Sequence, residues 1–226
     1  PLDAEGLLIC ELDGTDAEVQ HQIEKLRLIL DENNAIQVRV ATEAAERMQL
    51  WLGRKAAFPA VGRLAPDYYC MDGTIPRSAL AAVLAQITKF SEQHGLEVAN
   101  VFHAGDGNLH PLILYDANKA GEIERAEAFG ADILNLCIEV GGTITGEHGV
   151  GVEKIDQMCV QFTPEELELF HGVKSAFDES RILNPGKAVP TLSRCAEFGA
   201  MHVHTDGSQQ THVGLNAQKY SDLERF

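Results

Sequence analysis

Two histidines, His103 and His110, flank a Gly-Asp-Gly-Asn segment at residues 105–108. That segment is strong turn chemistry, and residues 98–102 and 112–115 on either side have the composition of strands, so the region is predicted to form a tight hairpin. Residues directly opposite each other on one face of a hairpin have Cβ atoms roughly 4.5–5.5 Å apart. We therefore expect the two imidazoles to lie opposite each other and to be able to bind one metal ion.

A second pair of metal-binding residue types, Glu147 and His148, lies in the glycine-rich segment 141–151. Glycine permits close backbone approach and unusual dihedral angles, which a loop at a functional site needs. Histidine combined with a carboxylate suits zinc, manganese or iron. From the residues alone, an alternative to a metal site is that His103 and His110 are simply exposed residues beside a turn. Asp106 is an alternative to Glu147 as the carboxylate ligand.

The composition excludes several classes of function. The 226 residues are 45% hydrophobic and 23% charged, as in an ordinary globular protein. A net charge of −16 argues against a nucleic-acid partner, which requires a basic surface. No apolar run has the length of a transmembrane segment. The five cysteines are odd in number and scattered, without a C-x-x-C motif, which predicts reduced thiols and a cytoplasmic location.

The periodicity of apolar residues predicts short strands separated by helices. Strands are expected at residues 7–12, 36–40 and 68–75, and helices at 16–32, 42–58 and from Pro76 to His94 with Gly95 as the cap. The hairpin 97–115, a helix over 118–140 and a helix from Thr163 to about residue 180 follow. This order predicts an α+β fold, with a ferredoxin-like layer of helices on a mainly antiparallel sheet.

The last part of the chain, residues 191–226, is polar and is predicted to be an extended tail. It contains His202 and His204 in an H-x-H arrangement, which could bind metal. We favour the interpretation that these histidines belong to a loosely structured tail and do not bind metal.

Three segments together carry a resemblance to a known family: His103-Ala-Gly-Asp-Gly-Asn-Leu-His110, Gly146-Glu-His-Gly-Val-Gly151 and Leu183-Asn-Pro-Gly-Lys187. They resemble the C-terminal half of FAD-linked 2-hydroxyacid dehydrogenases of the vanillyl-alcohol-oxidase type, in the branch of glycolate oxidase and D-lactate dehydrogenase. Further similar stretches lie at residues 51–59, 67–76 and 194–204, so the resemblance covers nearly the whole chain.

The resemblance implies a division into a substrate-binding cap domain (residues 1–140), a C-terminal return segment with an active-site loop and a helix (141–190) and the tail (191–226). It also implies an N-terminal domain of the same protein that binds most of the FAD. Here the run Gly146-x-x-Gly149-x-Gly151 lacks the order of a dinucleotide-binding motif. We therefore expect no tightly bound FAD on this chain alone. Other oxidase subunits are expected partners and could hold the protein peripherally at the inner membrane.

The resemblance also implies roles for individual residues. His103, His110 and Glu147 are expected to bind the divalent metal, and His148 to act as the base, with a fourth ligand as its alternative role. Arg54 is the candidate for the substrate carboxylate, because its planar guanidinium can bind a carboxylate through two hydrogen bonds. Asn184 and Lys187 are expected to approach the flavin from the return segment.

The expected reaction is oxidation of a short 2-hydroxy acid to the 2-oxo acid, with the hydride passing to FAD. The hydroxyglutarate-oxidising branch would carry a lysine just before Asp72, whereas Cys70 and Met71 stand here. This favours a monocarboxylate such as glycolate or D-lactate. Two other classes stay open: a flavin-independent metal hydrolase, and a non-catalytic module that makes subunit contacts.

Overall fold

The computed structural model describes residue 4, residues 6–191 and residue 195. Its contacts divide the chain into two compact units, Pro1–Pro59 and Ala60–Phe226. The predicted tail, with His202 and His204, lies outside the described residues except at Thr191 and Cys195.

The first unit contains the helices α1 (Asp16–Glu32) and α2 (Ala44–Lys55), and α3 (Ala57–Val61) follows. α1 begins where its sequence predicts, because the Thr15 side chain accepts from the Glu18 N–H while the Glu18 carboxylate accepts from the Thr15 N–H. Neither α1 nor α2 contains a buried residue. Large apolar side chains on both stay exposed, among them Leu28, Met48 and Leu52.

Two strands predicted in this unit, at residues 7–12 and 36–40, are wrong. Both stretches lack regular structure and are mostly exposed. Alternating apolar residues favour a strand only where a neighbouring strand can pair with the backbone N–H and C=O groups. The described part of this unit contains no such strand.

The second unit is built on a four-stranded antiparallel sheet. Its strands are β1 (Asp67–Cys70), β2 (Gly73–Thr74), β3 (Val98–His103) and β4 (Asn108–Tyr115). β4 pairs with the other three, and every residue of β4 except Tyr115 is buried. β1 and β2 pair with successive parts of β4, so the chain between them remains close to the centre of the sheet.

Helices cover the sheet and close the core of this unit. After a 3-10 turn at Arg77–Ala79, α4 (Leu80–His94) contacts β3, and α5 (Glu122–Glu139) contacts α4, β1, β2 and β4. α6 (Ile155–Gln161) contacts α5, and α7 (Pro164–Phe177) follows. The largest fully buried side chains of the core come from the sheet, these helices and the segments that connect them: Met71, Ile87, Phe90, Leu109, Leu112, Ile113, Phe129, Ile133, Leu134, Leu136, Ile144 and Leu167.

The predicted fold class, helices on a mainly antiparallel sheet, is confirmed. The local signals within the second unit are also confirmed: the 97–115 hairpin forms, Gly95 caps α4, and Thr163 with Glu166 forms a capping box on α7. The short helix α6 was not predicted, because its seven residues are too few to show a helical period.

The expectation that all cysteines are reduced is wrong for one pair. Cys159 in α6 and Cys195 form a disulfide across a sequence separation of 36. Both residues are buried, so packing rather than a short sequence motif brings them together. Three further cysteines of the described chain, Cys10, Cys70 and Cys137, are free.

Two glycine substitutions are predicted to have opposite effects on stability. Gly95 has a φ of +63°, so Gly95→Ala places a side chain in left-handed backbone and should destabilise the protein by about 1–2 kcal/mol. Gly172 lies inside α7 with open space around it, and Gly172→Ala should stabilise by about 0.5–1 kcal/mol. Urea denaturation measures both free energies of unfolding, and changes of the same sign would contradict this account.

Candidate functional site: a histidine–carboxylate cluster held by a buried aspartate

The register of the β3–β4 hairpin determines where its two histidines lie. His103 pairs with Asn108, and His110 pairs with Val101. The histidines are therefore diagonal neighbours on one face rather than directly opposite, because residues 104–107 form the turn. Their ring centroids lie 5.3 Å apart, with the planes at 86°. His103 is exposed at the end of its strand, whereas His110 is buried in the centre of the sheet.

The glycine-rich loop brings Glu147 and His148 to the buried histidine. The Nε2 atom of His110 lies 3.0 Å from Oε1 of Glu147, and Nε2 of His148 lies 3.7 Å from the same oxygen. The rings of His110 and His148 stack with centroids 5.1 Å apart. The side chain of His110 is 3% exposed, compared with 53% for Glu147 and 49% for His148. The buried imidazole of His110 is thus in contact with two half-exposed side chains, those of Glu147 and His148.

A residue that sequence reasoning did not assign to the site, Asp72, holds this loop in place. Its fully buried carboxylate accepts hydrogen bonds from the backbone N–H groups of Gly146 (3.1 Å), Glu147 (3.2 Å) and His148 (2.9 Å). The hydroxyl of Thr145 donates to the same carboxylate at 2.7 Å. The backbone of the loop is therefore anchored at each of the residues that present the cluster.

Lys154 supplies the counter-charge for Asp72. Its Nζ atom, on a side chain that is 3% exposed, lies 3.1 Å from Oδ2 of Asp72 and 3.2 Å from the Asp72 carbonyl oxygen. Burial alone would raise the pKa of Asp72, but the His148 N–H, the Thr145 hydroxyl and the Lys154 ammonium outweigh it. Together they hold the pKa of Asp72 well below its usual range, so this carboxylate is ionised at neutral pH.

Two glycines allow the loop to approach β2 closely. The loop pairs with that strand through Thr143 and Thr74. A Cβ atom at Gly142 would lie 1.9 Å from the Thr74 carbonyl oxygen, and one at Gly146 would lie 2.5 Å from Oδ1 of Asn108. Any larger residue at either position would displace the loop from the sheet and from Asp72.

The donor set of the cluster suits a divalent metal ion. Among the described residues, Asp72, His110, Glu147 and His148 have ligand atoms that all lie within 4.8 Å of one another. Asp72 already accepts hydrogen bonds from the loop and from Lys154, which leaves the two imidazoles and Glu147 to face an ion. Burial lowers the pKa of His110, which favours the neutral imidazole that a metal requires. His103 is outside this group and stands beside it, edge-on to His110.

A cavity of about 240 Å³ opens beside His148. Its polar lining residues are Cys70, His148, Glu153 and two lysines, and glycines and valines of residues 149–152 form the rest of its wall. Burial and the neighbouring Asp72 charge raise the pKa of Cys70 to about 11. The residues lining the cavity are Cys70, His148, Gly149, Val150, Gly151, Val152, Glu153, Lys154 and Lys187.

The remaining predicted site residues lie on other elements. Arg54 is in the last turn of α2, in the first unit. Asn184 is exposed after α7 with a φ of +45°, and Lys187 lines the cavity. Asp106 is exposed in the hairpin turn and belongs to neither group of clustered ligand atoms found in the described residues. Of the predicted residues, the structure thus brings together His110, Glu147 and His148. His103 contacts the ring of His110 from outside this group, and Lys187 lines the adjoining cavity.

Comparison with known proteins gives the family. Residues 1–188 match FAD linked oxidases, C-terminal domain. The glycolate oxidase subunit GlcD of Escherichia coli (strain K12) is 62% identical over 226 residues, which are 100% of this chain and 43% of that protein. The mitochondrial D-lactate dehydrogenase (cytochrome) of Arabidopsis thaliana is 31% identical over 185 residues, 81% of this chain and 33% of that protein.

A solved structure supports the fold. The 4-ethylphenol oxidase from Gulosibacter chungangensis, in its isoeugenol complex, aligns with a TM-score of 0.54 at 16% identity, covering 80% of this chain and 38% of that one. The chain therefore belongs to the family of FAD-linked oxidase C-terminal domains, in the branch that contains glycolate oxidase and D-lactate dehydrogenase. It spans less than half the length of the two curated relatives. No helix in the described part of the chain is both long and apolar enough for a membrane span.

Asp72→Asn is predicted to destabilise the second unit strongly. The change leaves the Lys154 ammonium buried without its counter-charge, which costs roughly 3–5 kcal/mol. Asp106→Asn is the matched control, because Asp106 is exposed and an exposed substitution changes stability by less than about 0.5 kcal/mol. Urea denaturation at neutral pH compares the two, and equal stabilities would refute the anchoring role of Asp72.

The same pair predicts a direction of pH dependence. The folded-state pKa of Asp72 lies below the unfolded value, which is about 3.9 for aspartate. Its contribution to stability is therefore fully present above that value and is lost as the pH falls towards the folded-state pKa. The difference between wild type and Asp72→Asn should shrink on acidification below about pH 4.

Proposed function

We propose that this chain is the substrate- and metal-binding part of a flavoenzyme that oxidises a short 2-hydroxy acid, glycolate or D-lactate, to the 2-oxo acid. The observation that carries the proposal is the convergence of His110, Glu147 and His148 beside a cavity, in a chain of the FAD-linked oxidase family. The names of its relatives, glycolate oxidase subunit and D-lactate dehydrogenase, suggest the substrate class.

His103, His110 and Glu147 are the proposed ligands of a divalent ion, zinc, manganese or iron. When bound, such an ion acidifies the substrate hydroxyl by coordinating its oxygen. Of the three proposed metal ligands in this chain, one is held rigidly and two can change their side-chain conformation. His110 is fixed by burial in β4, whereas Glu147 and the exposed His103 can adjust to the ion.

His148 is the proposed base. Its side chain is half exposed and lines the cavity, so its ring can take the hydroxyl proton of a substrate bound there. Its backbone is held by the 2.9 Å hydrogen bond to Asp72, which keeps the ring close to Glu147. A role as a fourth ligand is the alternative, since His148 also belongs to the cluster.

The substrate carboxylate is assigned to Arg54, whose guanidinium geometry matches it. The positions before Asp72 are occupied by the uncharged Cys70 and the buried Met71, and the nearby Lys154 is neutralised by Asp72. The absence of a further cation from these two positions fits a monocarboxylate better than a dicarboxylate.

FAD is the proposed acceptor of the hydride, bound mainly by an N-terminal domain of the same protein. Lys187, which lines the cavity, and Asn184 in the same return segment are the residues of this chain proposed to approach it. The exposed apolar side chains on α1 and α2, such as Leu28 and Met48, are suited to contact such a domain or another oxidase subunit. We place the protein in the cytoplasm, where partner subunits would hold it peripherally at the inner membrane.

Glu147→Gln and His148→Asn should separate the two roles in the full-length protein that carries this chain. Glu147→Gln replaces an anionic ligand with a neutral one, so metal content and turnover should fall together. His148→Asn should keep metal and flavin while turnover falls by roughly 10²-fold or more, the usual contribution of a positioned base. Metal analysis, flavin absorbance and flavin reduction by glycolate and D-lactate are the measurements.

Asp106→Asn serves as the control, because it removes the competing carboxylate without touching the cluster. Metal loss in that variant instead of Glu147→Gln would reassign the ligand. Near-normal turnover in His148→Asn would remove the base role, and loss of metal there would make His148 a ligand. Hydrolytic activity without flavin reduction would replace the proposal by a metal hydrolase.

A further inference from the structure

A cysteine that the proposed mechanism does not use lies close to two imidazoles of the site, those of His110 and His148. The Sγ atom of Cys70 and the ring nitrogens of His110 and His148 form a second group whose ligand atoms all lie within 4.8 Å of one another. Cys70 ends β1, where it pairs with Leu112 of the central strand. Its thiol also lines the cavity next to His148.

The side chain of Cys70 is held only weakly elsewhere. Its one described hydrogen bond runs from Sγ to the Met71 carbonyl oxygen at 3.4 Å, and a thiol is a poor donor. The Sγ atom lies within 4.8 Å of a ring nitrogen of His148, and both residues line the cavity.

The two ligand groups differ in chemical softness. One thiol with two imidazoles is a set that Zn²⁺, Co²⁺ and Cd²⁺ favour, whereas a carboxylate with imidazoles suits Mn²⁺ as well. Both sets include His110 and His148, so a soft ion at this centre can draw on the sulfur while a hard ion draws on Glu147.

We propose that Cys70 is a ligand for soft divalent ions at this centre, together with His110 and His148. The inference rests on the proposed metal site and extends it by naming the residue that decides which metals bind tightly. As the sulfur–metal bond forms, the thiol proton is released to solvent. A soft ion held in this way occupies the His148 ring, so it competes with the base role of that residue.

The test uses the 226-residue chain, because every residue of both groups lies within it. Co²⁺ is the probe, since a cobalt–thiolate bond gives an intense near-ultraviolet charge-transfer band that oxygen and nitrogen ligands do not. We expect the band in wild type and in Cys10→Ser, whose exposed thiol is the matched control, and its loss in Cys70→Ser. Circular dichroism checks that each variant is folded.

Binding titrations add the metal preference. Cys70→Ser should weaken Zn²⁺ binding by about tenfold or more while changing Mn²⁺ binding by less than about twofold. Glu147→Gln should show the reverse pattern, weakening Mn²⁺ more than Zn²⁺. His110→Asn should weaken both, because the two groups share that ring.

X-ray absorption of the zinc-loaded wild-type chain tests the proposal without any substitution, since a thiolate ligand appears as sulfur at about 2.3 Å from the ion. Tight Co²⁺ or Zn²⁺ binding without a charge-transfer band or a sulfur ligand would overturn the role of Cys70 and leave the proposed metal site intact. Persistence of the band in Cys70→Ser would also overturn it. Failure of Co²⁺, Zn²⁺ and Mn²⁺ all to bind would overturn both this inference and the proposed metal site.

Discussion

The ion pair between Asp72 and Lys154 is the interaction on which the candidate site depends. Both side chains are buried, and the Asp72 carboxylate also accepts hydrogen bonds from the loop that carries Glu147 and His148. A buried charge that loses its partner costs several kcal/mol. If the loop left the sheet, the charged carboxylate of Asp72 would lose the hydrogen bonds that the loop donates to it. The backbone at Glu147 and His148 is therefore held in a fixed position.

Because the loop is anchored through its backbone, the site is rigid while its side chains remain accessible from solvent. Backbone groups of the loop point inwards to Asp72, while the side chains of Glu147 and His148 remain half exposed. His110 presents its ring from the buried central strand and has little freedom to move. Such an arrangement suits a catalytic centre, which needs fixed ligands on one side and an open position for substrate on the other.

Two groups of potential metal ligands in the described residues share the imidazoles of His110 and His148. A carboxylate group and a thiol group approach His110 and His148 from different elements, the loop and the end of β1. An ion held, as proposed, by His103, His110 and Glu147 would leave the His148 ring for proton transfer. An ion held by Cys70 together with the imidazoles of His110 and His148 would occupy that ring. In this proposal, metal selectivity and catalytic competence are linked through His148.

Much of the fold and part of the site could be predicted because their signals are local. The capping box at Thr163 and the left-handed Gly95 each act within a few residues, and they mark the start of α7 and the end of α4 correctly. The turn between His103 and His110 likewise predicted the hairpin, although not its register, which differs by two residues. Strands at 7–12 and 36–40 were wrong because a strand depends on a distant partner as well as on its own pattern.

The sequence by itself therefore determined the bounds of α1, the end of α4, the start of α7, the hairpin and the residue types that can bind a metal. Short-range hydrogen bonds and backbone preferences decide these helix ends and the hairpin. Only the tertiary structure decided that Asp72 anchors a loop 74 residues away, that Lys154 neutralises it, and that Cys70 joins the histidines. It also decided the pairing of Cys159 with Cys195. The physical reason is that a polar or sulfur-containing side chain acquires its role from burial and from its neighbours, and packing of the whole core determines both.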